Sequence, residues 1–214
     1  MRTKHPLNIA ISLSLICITL FEGNAQTRGD GPNESLERIA APLVNAGITI
    51  NEPSLIKALS NEDKRIATSA ASVLSTFPKT KSIVRALNSV VKDEDEILAV
   101  TVMSSLLTMK ETGWVTAGVK RLPSMHDPVE RIQLAGLLAQ AGNTEGWPII
   151  VSSIEDGKYS MTALDNVSYF DGKKLQNGAY ISVVDELERL QITAPASSRE
   201  LIQAKLKQLK SKER

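Results

Sequence analysis

The sequence predicts an all-α protein, a solenoid of about four to five antiparallel helix pairs stacked in a row. Three observations predict it. Apolar residues recur at helical spacing through most of the chain, strand-like alternation is almost absent, and a unit of about 32 residues returns along the sequence. Composition narrows the function classes. Lys and Arg total 25 against 24 Asp and Glu, a balance without the electrostatic footprint of a nucleic-acid binder. Aromatics make up 4%, too few for a base- or sugar-stacking surface. The two histidines and single cysteine leave almost nothing to ligate a transition metal, because His5 and Cys17 both lie near the N-terminus.

The first element reads as an address. Arg2 and Lys4 precede an uncharged stretch from Leu7 to Phe21, and Gly23 and Ala25 supply the small residues of a cleavage site. This is the pattern of a secretory signal peptide over residues 1–25, cut after Ala25. This uncharged stretch of 15 residues falls short of a membrane span, so no stable anchor is expected after cleavage. Cutting 25 of the 214 residues leaves 189, with His126 as the sole histidine and no cysteine. An exported chain without disulfides is held by its core alone, and a chain of this size buries roughly 70% of its unfolded surface. Export into a periplasm or the exterior of a bacterium fits this cysteine usage best. Residues 26–33 are polar and Gly-rich and read as a disordered leader.

The repeat domain is expected over residues 34–192. Leu36, Ile39, Ala40, Leu43 and Val44 form the apolar stripe of a first helix, which Asn45 and Gly47 stop. Asn61-Glu62-Asp63-Lys64 then returns 32 residues later as Asp93-Glu94-Asp95-Glu96, and His126-Asp127-Pro128 stands about as far on again. Each acidic turn opens a small-residue helix: Ile66, Ala67, Ala70, Ala71, Leu74 in the first, Leu98, Ala99, Val102, Met103, Leu106 in the second. The third carries Ile132, Ala135, Gly136 and Ala139, shifted by about one residue. Asp63, Asp95 and Asp127 are the expected helix caps, each accepting from free N–H groups and complementing the helix dipole. The preceding helices repeat as Leu55-Ile56-Lys57-Ala58-Leu59 and Ile83-Val84-Arg85-Ala86-Leu87. Leu59 lies four residues before Asp63 but Leu87 eight before Asp95, as expected if the first is one turn shorter. Gly113-Trp114 recurs as Gly146-Trp147, a spacing of 33 that favours packing between repeats.

At these residues the chain resembles the short HEAT-like repeats named after phycobilisome lyases. Ala58-Leu59-Ser60-Asn61-Glu62-Asp63-Lys64-Arg65-Ile66-Ala67 and Met125-His126-Asp127-Pro128-Val129-Glu130-Arg131 match their pattern best. The likeness spans roughly Glu52 to Phe170; only the third turn keeps a proline, and Leu98 replaces a basic residue in the second. The resemblance implies a right-handed superhelix and specifies fold far more than function.

After Leu164 the repeat degrades into the turn signals Asp171-Gly172 and Asn177-Gly178. Tyr180 to Val184 could pass for a strand but runs into a helical pattern. Ser197 and Glu200 form a capping box for a terminal helix over 197–212, with Ile202, Leu206 and Leu209 on one side and Lys205, Lys207 and Lys210 mostly exposed.

No nucleophile elbow, phosphate loop, zinc or dinucleotide motif is present, so no catalytic residue, cofactor or metal is expected. His126 beside Asp127 reads as a turn residue, and Asp93, Asp95 and Glu96 lack the glycine-containing loop of a calcium site. The expected function is a non-catalytic binding or scaffolding module for an unidentified protein partner. Successive second helices would present Thr68, Ser72, Thr101 and Ser105. The alternative, by analogy with bilin lyases and with repeats attached to exported hydrolases, is an accessory or lyase-type enzyme subunit.

Overall fold

A computed structural model describes residues 32–212. The expected signal peptide (1–25) and all of the expected leader (26–33) except its last two residues lie outside them. Pro32 and Asn33 already belong to a helix, because Pro32 is tolerated where its missing N–H has no intrahelical partner.

Among the described residues the chain is all-α: eleven α-helices and one isolated β-bridge. Six helices pack each against the next: α1 (Pro32–Asn45), α3 (Lys64–Leu74), α5 (Glu96–Thr108), α7 (Pro128–Gln140), α9 (Ser160–Val167) and α11 (Ala196–Lys212). The other five lie against this row: α2 (Glu52–Ala58), α4 (Lys81–Val90), α6 (Val115–Arg121), α8 (Trp147–Asp156) and α10 (Val183–Thr193). The core runs along the seam. Ala67, Ala70, Ala71 and Leu74 of α3 and Leu98, Val102, Met103 and Leu106 of α5 are fully buried. Small side chains on α3 let α1 and α5 approach it closely.

Asp63, Asp95 and Asp127 are the N-cap residues of α3, α5 and α7, and Tyr159, 32 residues beyond Asp127, holds the same place before α9 without a side-chain bond. The third helix is therefore not shifted by one residue. Its apolar pattern looks displaced because Glu130 and Arg131 stand where Ile66-Ala67 and Leu98-Ala99 stand, and Leu134 and Ala135 resume the series. The unequal spacing before the turns has a simple cause, since α2 has 7 residues and α4 has 10. At the N-terminal end Leu43 is buried but Val44 is 61% exposed, so only part of the expected stripe of α1 finds a neighbour.

The last repeat is interrupted by a hairpin. Leu175 N–H donates to the Ala179 carbonyl (2.7 Å) and Ile181 N–H to that of Lys173 (2.8 Å), with Gly172 and Gly178 in left-handed conformation at the turns. Tyr180 makes only the isolated bridge to Lys174, and α10 starts at Val183. The terminal helix begins at Ala196, one residue before the expected start, so Ser197 stands inside it rather than before it. Ile202 and Leu206 are buried, and the Ser198 hydroxyl bonds that of Ser160 at 2.7 Å, tying α11 to α9.

Candidate functional site

The turn edge, where the odd-numbered helices begin, concentrates the charged chemistry. Each aspartate meets N–H groups that an isolated helix leaves free. Asp63 Oδ1 accepts from Arg65 N–H at 3.0 Å, Asp95 Oδ1 from Leu98 N–H at 2.8 Å, and Asp127 Oδ1 from Val129 and Glu130 N–H at 2.8 and 3.2 Å. The first residue of a helix then reaches forward to the next turn. Lys64 Nζ lies 2.8 Å from Asp93, and the Glu96 carboxylate accepts from the backbone N–H groups of His126 (2.8 Å) and Asp127 (2.9 Å). Arg121 reaches back, donating to the carbonyls of Asp93 (2.6 Å) and Glu94 (3.1 Å).

The electrostatics follow the partners. Hydrogen bonding to the Arg65 side chain holds the Asp63 carboxyl below its ordinary value, and the bond to Asp93 raises the Lys64 ammonium. Burial works against the charges of Asp93 and Glu96. The Lys64 bond to Asp93 and the His126 and Asp127 N–H groups on Glu96 help outweigh it, so both carboxyls sit below the usual range.

Glu130 differs from all of these. It occupies a core position of the repeat, half-buried, with Asp127, Glu96 and Asp95 as its charged neighbours. Burial first, and then those three carboxylates, push its carboxyl up to about 7. Beside it the Arg131 Nε is buried without a hydrogen-bond partner. The sequence did carry a signal for Glu130: a strict 32-residue register puts a carboxyl where two earlier repeats have Ile66 and Leu98.

The expected partner-facing residues divide. Thr68 and Ser72 are half-buried on α3, but Thr101 and Ser105 are 8% and 3% exposed and present nothing to a partner. The Ser105 hydroxyl lies 2.9 Å from both the Ala71 and the Thr101 carbonyl, so it serves the α3–α5 seam. The exposed surface of the row lies elsewhere. Ile97 and Met161, second residues of α5 and α9, are 50% and 54% exposed, and Val129 holds the same place on α7. Trp114 is buried and donates Nε1–H to the Glu111 carbonyl (2.8 Å), while Trp147 stacks obliquely on Phe170 at 5.3 Å. The His126 side chain is 96% exposed, 3.3 Å from Glu96.

Asp93, Asp95 and Glu96 are taken up by Lys64 and by backbone N–H groups, and among the described residues no group of three or more His, Cys, Asp or Glu could hold a metal ion. Two shallow grooves of about 410 and 400 Å³ lie between successive repeats, one beside Lys64, Lys92 and Asp93, the other beside Lys79, Thr80 and Glu111. Among the described residues no helix is long and apolar enough to cross a membrane. No protein-family model, curated protein or solved structure matches the chain.

Proposed function

We propose that the protein is an exported, right-handed α-solenoid of HEAT-like repeats that binds or scaffolds a partner protein without chemistry of its own. The observation that carries this reading is the row of odd-numbered helices, packed each on the next with N-caps 32 residues apart at Asp63, Asp95, Asp127 and Tyr159. A stack of this kind offers an extended surface to which each unit adds one small patch. The patch residues are Ile97, Val129 and Met161, with the half-buried Thr68 and Ser72 as the hydroxyls that α3 adds; Thr101 and Ser105 are withdrawn from it. At the turn edge Asp63, Asp95 and Asp127 are engaged as helix caps, in keeping with a structural role for these carboxylates.

Affinity capture from the envelope fraction of the producing cell tests the reading. The wild-type chain should retain a discrete partner, a chain carrying Ile97→Glu and Met161→Glu should lose it, and Arg85→Glu on α4 should keep it. Loss of about 2 kcal/mol or more is expected where an apolar anchor becomes charged. A turnover activity that His126→Ala abolishes without moving the melting curve would replace this reading with an enzyme. Export is tested by intact mass: secreted material should begin at Gln26.

A further inference from the structure

The chain contains a single Asn-Gly pair, Asn177-Gly178, and the fold sets it in the loop of the hairpin that interrupts the last repeat. Both residues are exposed. Gly178 is left-handed at φ 90°, and a Cβ placed on it would meet only Lys174 Cε, at 3.9 Å, apart from its chain neighbours. Water and hydroxide therefore reach this peptide. Asn177 Oδ1 accepts from the Ala179 N–H at 3.1 Å, which turns the side-chain carbonyl over the peptide that follows it. The Gly178 N–H donates to the Leu175 carbonyl at 3.0 Å. Asn166 shows the contrast, since it is buried, packs on Gly136 and precedes the branched Val167.

We propose that Asn177-Gly178 is a self-modifying site, at which the native hairpin lets the asparagine convert to aspartate and isoaspartate with water as the only co-reactant. The Gly178 nitrogen gives its proton to hydroxide, and its electron pair forms a bond to Asn177 Cγ. The carbonyl pair moves onto Oδ1, and the tetrahedral centre then collapses with loss of the side-chain nitrogen as ammonia, which takes a proton from water. A second water opens the cyclic imide. Attack at Cγ breaks the new bond and gives aspartate; attack at the main-chain carbonyl breaks the original peptide bond and gives isoaspartate, with an extra methylene in the backbone. Two hydrogen bonds act on the first step in opposite directions. The bond from Gly178 to Leu175 must break, which for a neutral pair costs roughly two- to tenfold in rate. The Ala179 N–H stands where negative charge develops on Oδ1, and a bond to a charged oxygen is worth roughly ten- to a hundredfold. The second effect offsets the first, so the fold does not protect Asn177. In the isoaspartyl form the added methylene lies within the loop closed by the Leu175 N–H bond to the Ala179 carbonyl, and that bond loosens.

Ageing the purified chain in mildly alkaline buffer, beside a synthetic peptide of residues 173–181, tests the site. Peptide mapping by mass spectrometry, with aspartate and isoaspartate separated by chromatography, should find Asn177 converting before any other asparagine of the folded chain. Its rate should lie within about tenfold of the peptide's, the margin left by the two hydrogen bonds. Amide exchange at Leu175 and Ile181, the two donors that close the hairpin, should quicken in the isoaspartyl fraction. It should stay slow in Asn177→Asp, which carries the new charge without the extra methylene. Conversion of Asn177 more than tenfold slower than in the peptide overturns the proposal. So does another asparagine reacting first, or an isoaspartyl fraction whose exchange matches that of fresh protein.

Discussion

Asp127 closes the start of α7 with a single carboxylate oxygen serving two backbone N–H groups, and it also lies close enough to Glu130 to oppose its ionisation. Asp127→Ala therefore has two opposite consequences. It removes a cap, which costs typically about 1 kcal/mol, and it removes a negative neighbour, which shifts the Glu130 midpoint down. Urea denaturation at pH 5, where Glu130 is protonated, should show the cap loss alone. The loss should be smaller at pH 8, where relief of repulsion offsets part of it. His126→Ala, one residue away, should change stability by less than about 0.5 kcal/mol, because its side chain is 96% exposed. Both positions were legible in the sequence, since capping is a local interaction between residues two or three apart. Glu130 stands out less, because the polar pair Glu130-Arg131 interrupts the apolar pattern that identifies the register.

Helices fall into place from local signals, but equivalent positions on them do not meet equivalent neighbours. Gly113 and Gly146 stand one residue before the two tryptophans and look interchangeable. A Cβ on Gly113 meets nothing within 4 Å, whereas one on Gly146 would collide with the Cβ and backbone of Ala135 on α7. Gly113→Ala should thus alter stability by no more than about 0.5 kcal/mol, and Gly146→Ala should cost on the order of 1–3 kcal/mol by overpacking a site bounded by backbone. Thermal melts of the two variants side by side check this, and equal effects would mean that α8 does not approach α7 as described. Thr68 and Thr101 differ for another reason, because in the 32-residue register Thr101 stands where Ser69 stands, and Ser69 is buried too. Thr101 faces the α3–α5 seam like its counterpart Ser69, and the Ser105 hydroxyl meets the Ala71 carbonyl there. Which hydroxyls remain outside is set by their place in the register, one residue of which separates the half-buried Thr68 from the buried Thr101.

For the whole molecule the ends carry a burden the middle does not. A unit of a stacked array buries its apolar side only against its neighbours, so the last must be covered by something with a polar outer face. α11 packs on α9 and α10 as such a cover would: Ile202 and Leu206 are buried, and Lys207 and Lys210 are exposed, Lys210 paired with Glu188 at 2.6 Å. Deleting residues 196–214 would uncover α9 and α10. Each buried aliphatic side chain lost removes roughly 1.5–3 kcal/mol, and the exposed apolar surface invites association. Light scattering should show aggregation of the truncated chain under conditions where the full chain stays dispersed. A monodisperse truncation with an unchanged melting temperature would show that α11 is an appendage and not a cap.

The sequence alone determined the helical class, the 32-residue register, the three aspartate caps and the shorter second helix, because each rests on contacts within a few residues or on a period read directly from the chain. Tertiary structure decided the rest. It set Thr101 and Ser105 inside the seam, distinguished Gly146 from Gly113, closed residues 171–182 into a hairpin, and half-buried Glu130 near Asp127, Glu96 and Asp95. The hairpin apart, whose hydrogen bonds are local, those outcomes depend on how closely one helix approaches another, and burial and charge respond to that distance rather than to the order of residues along the chain.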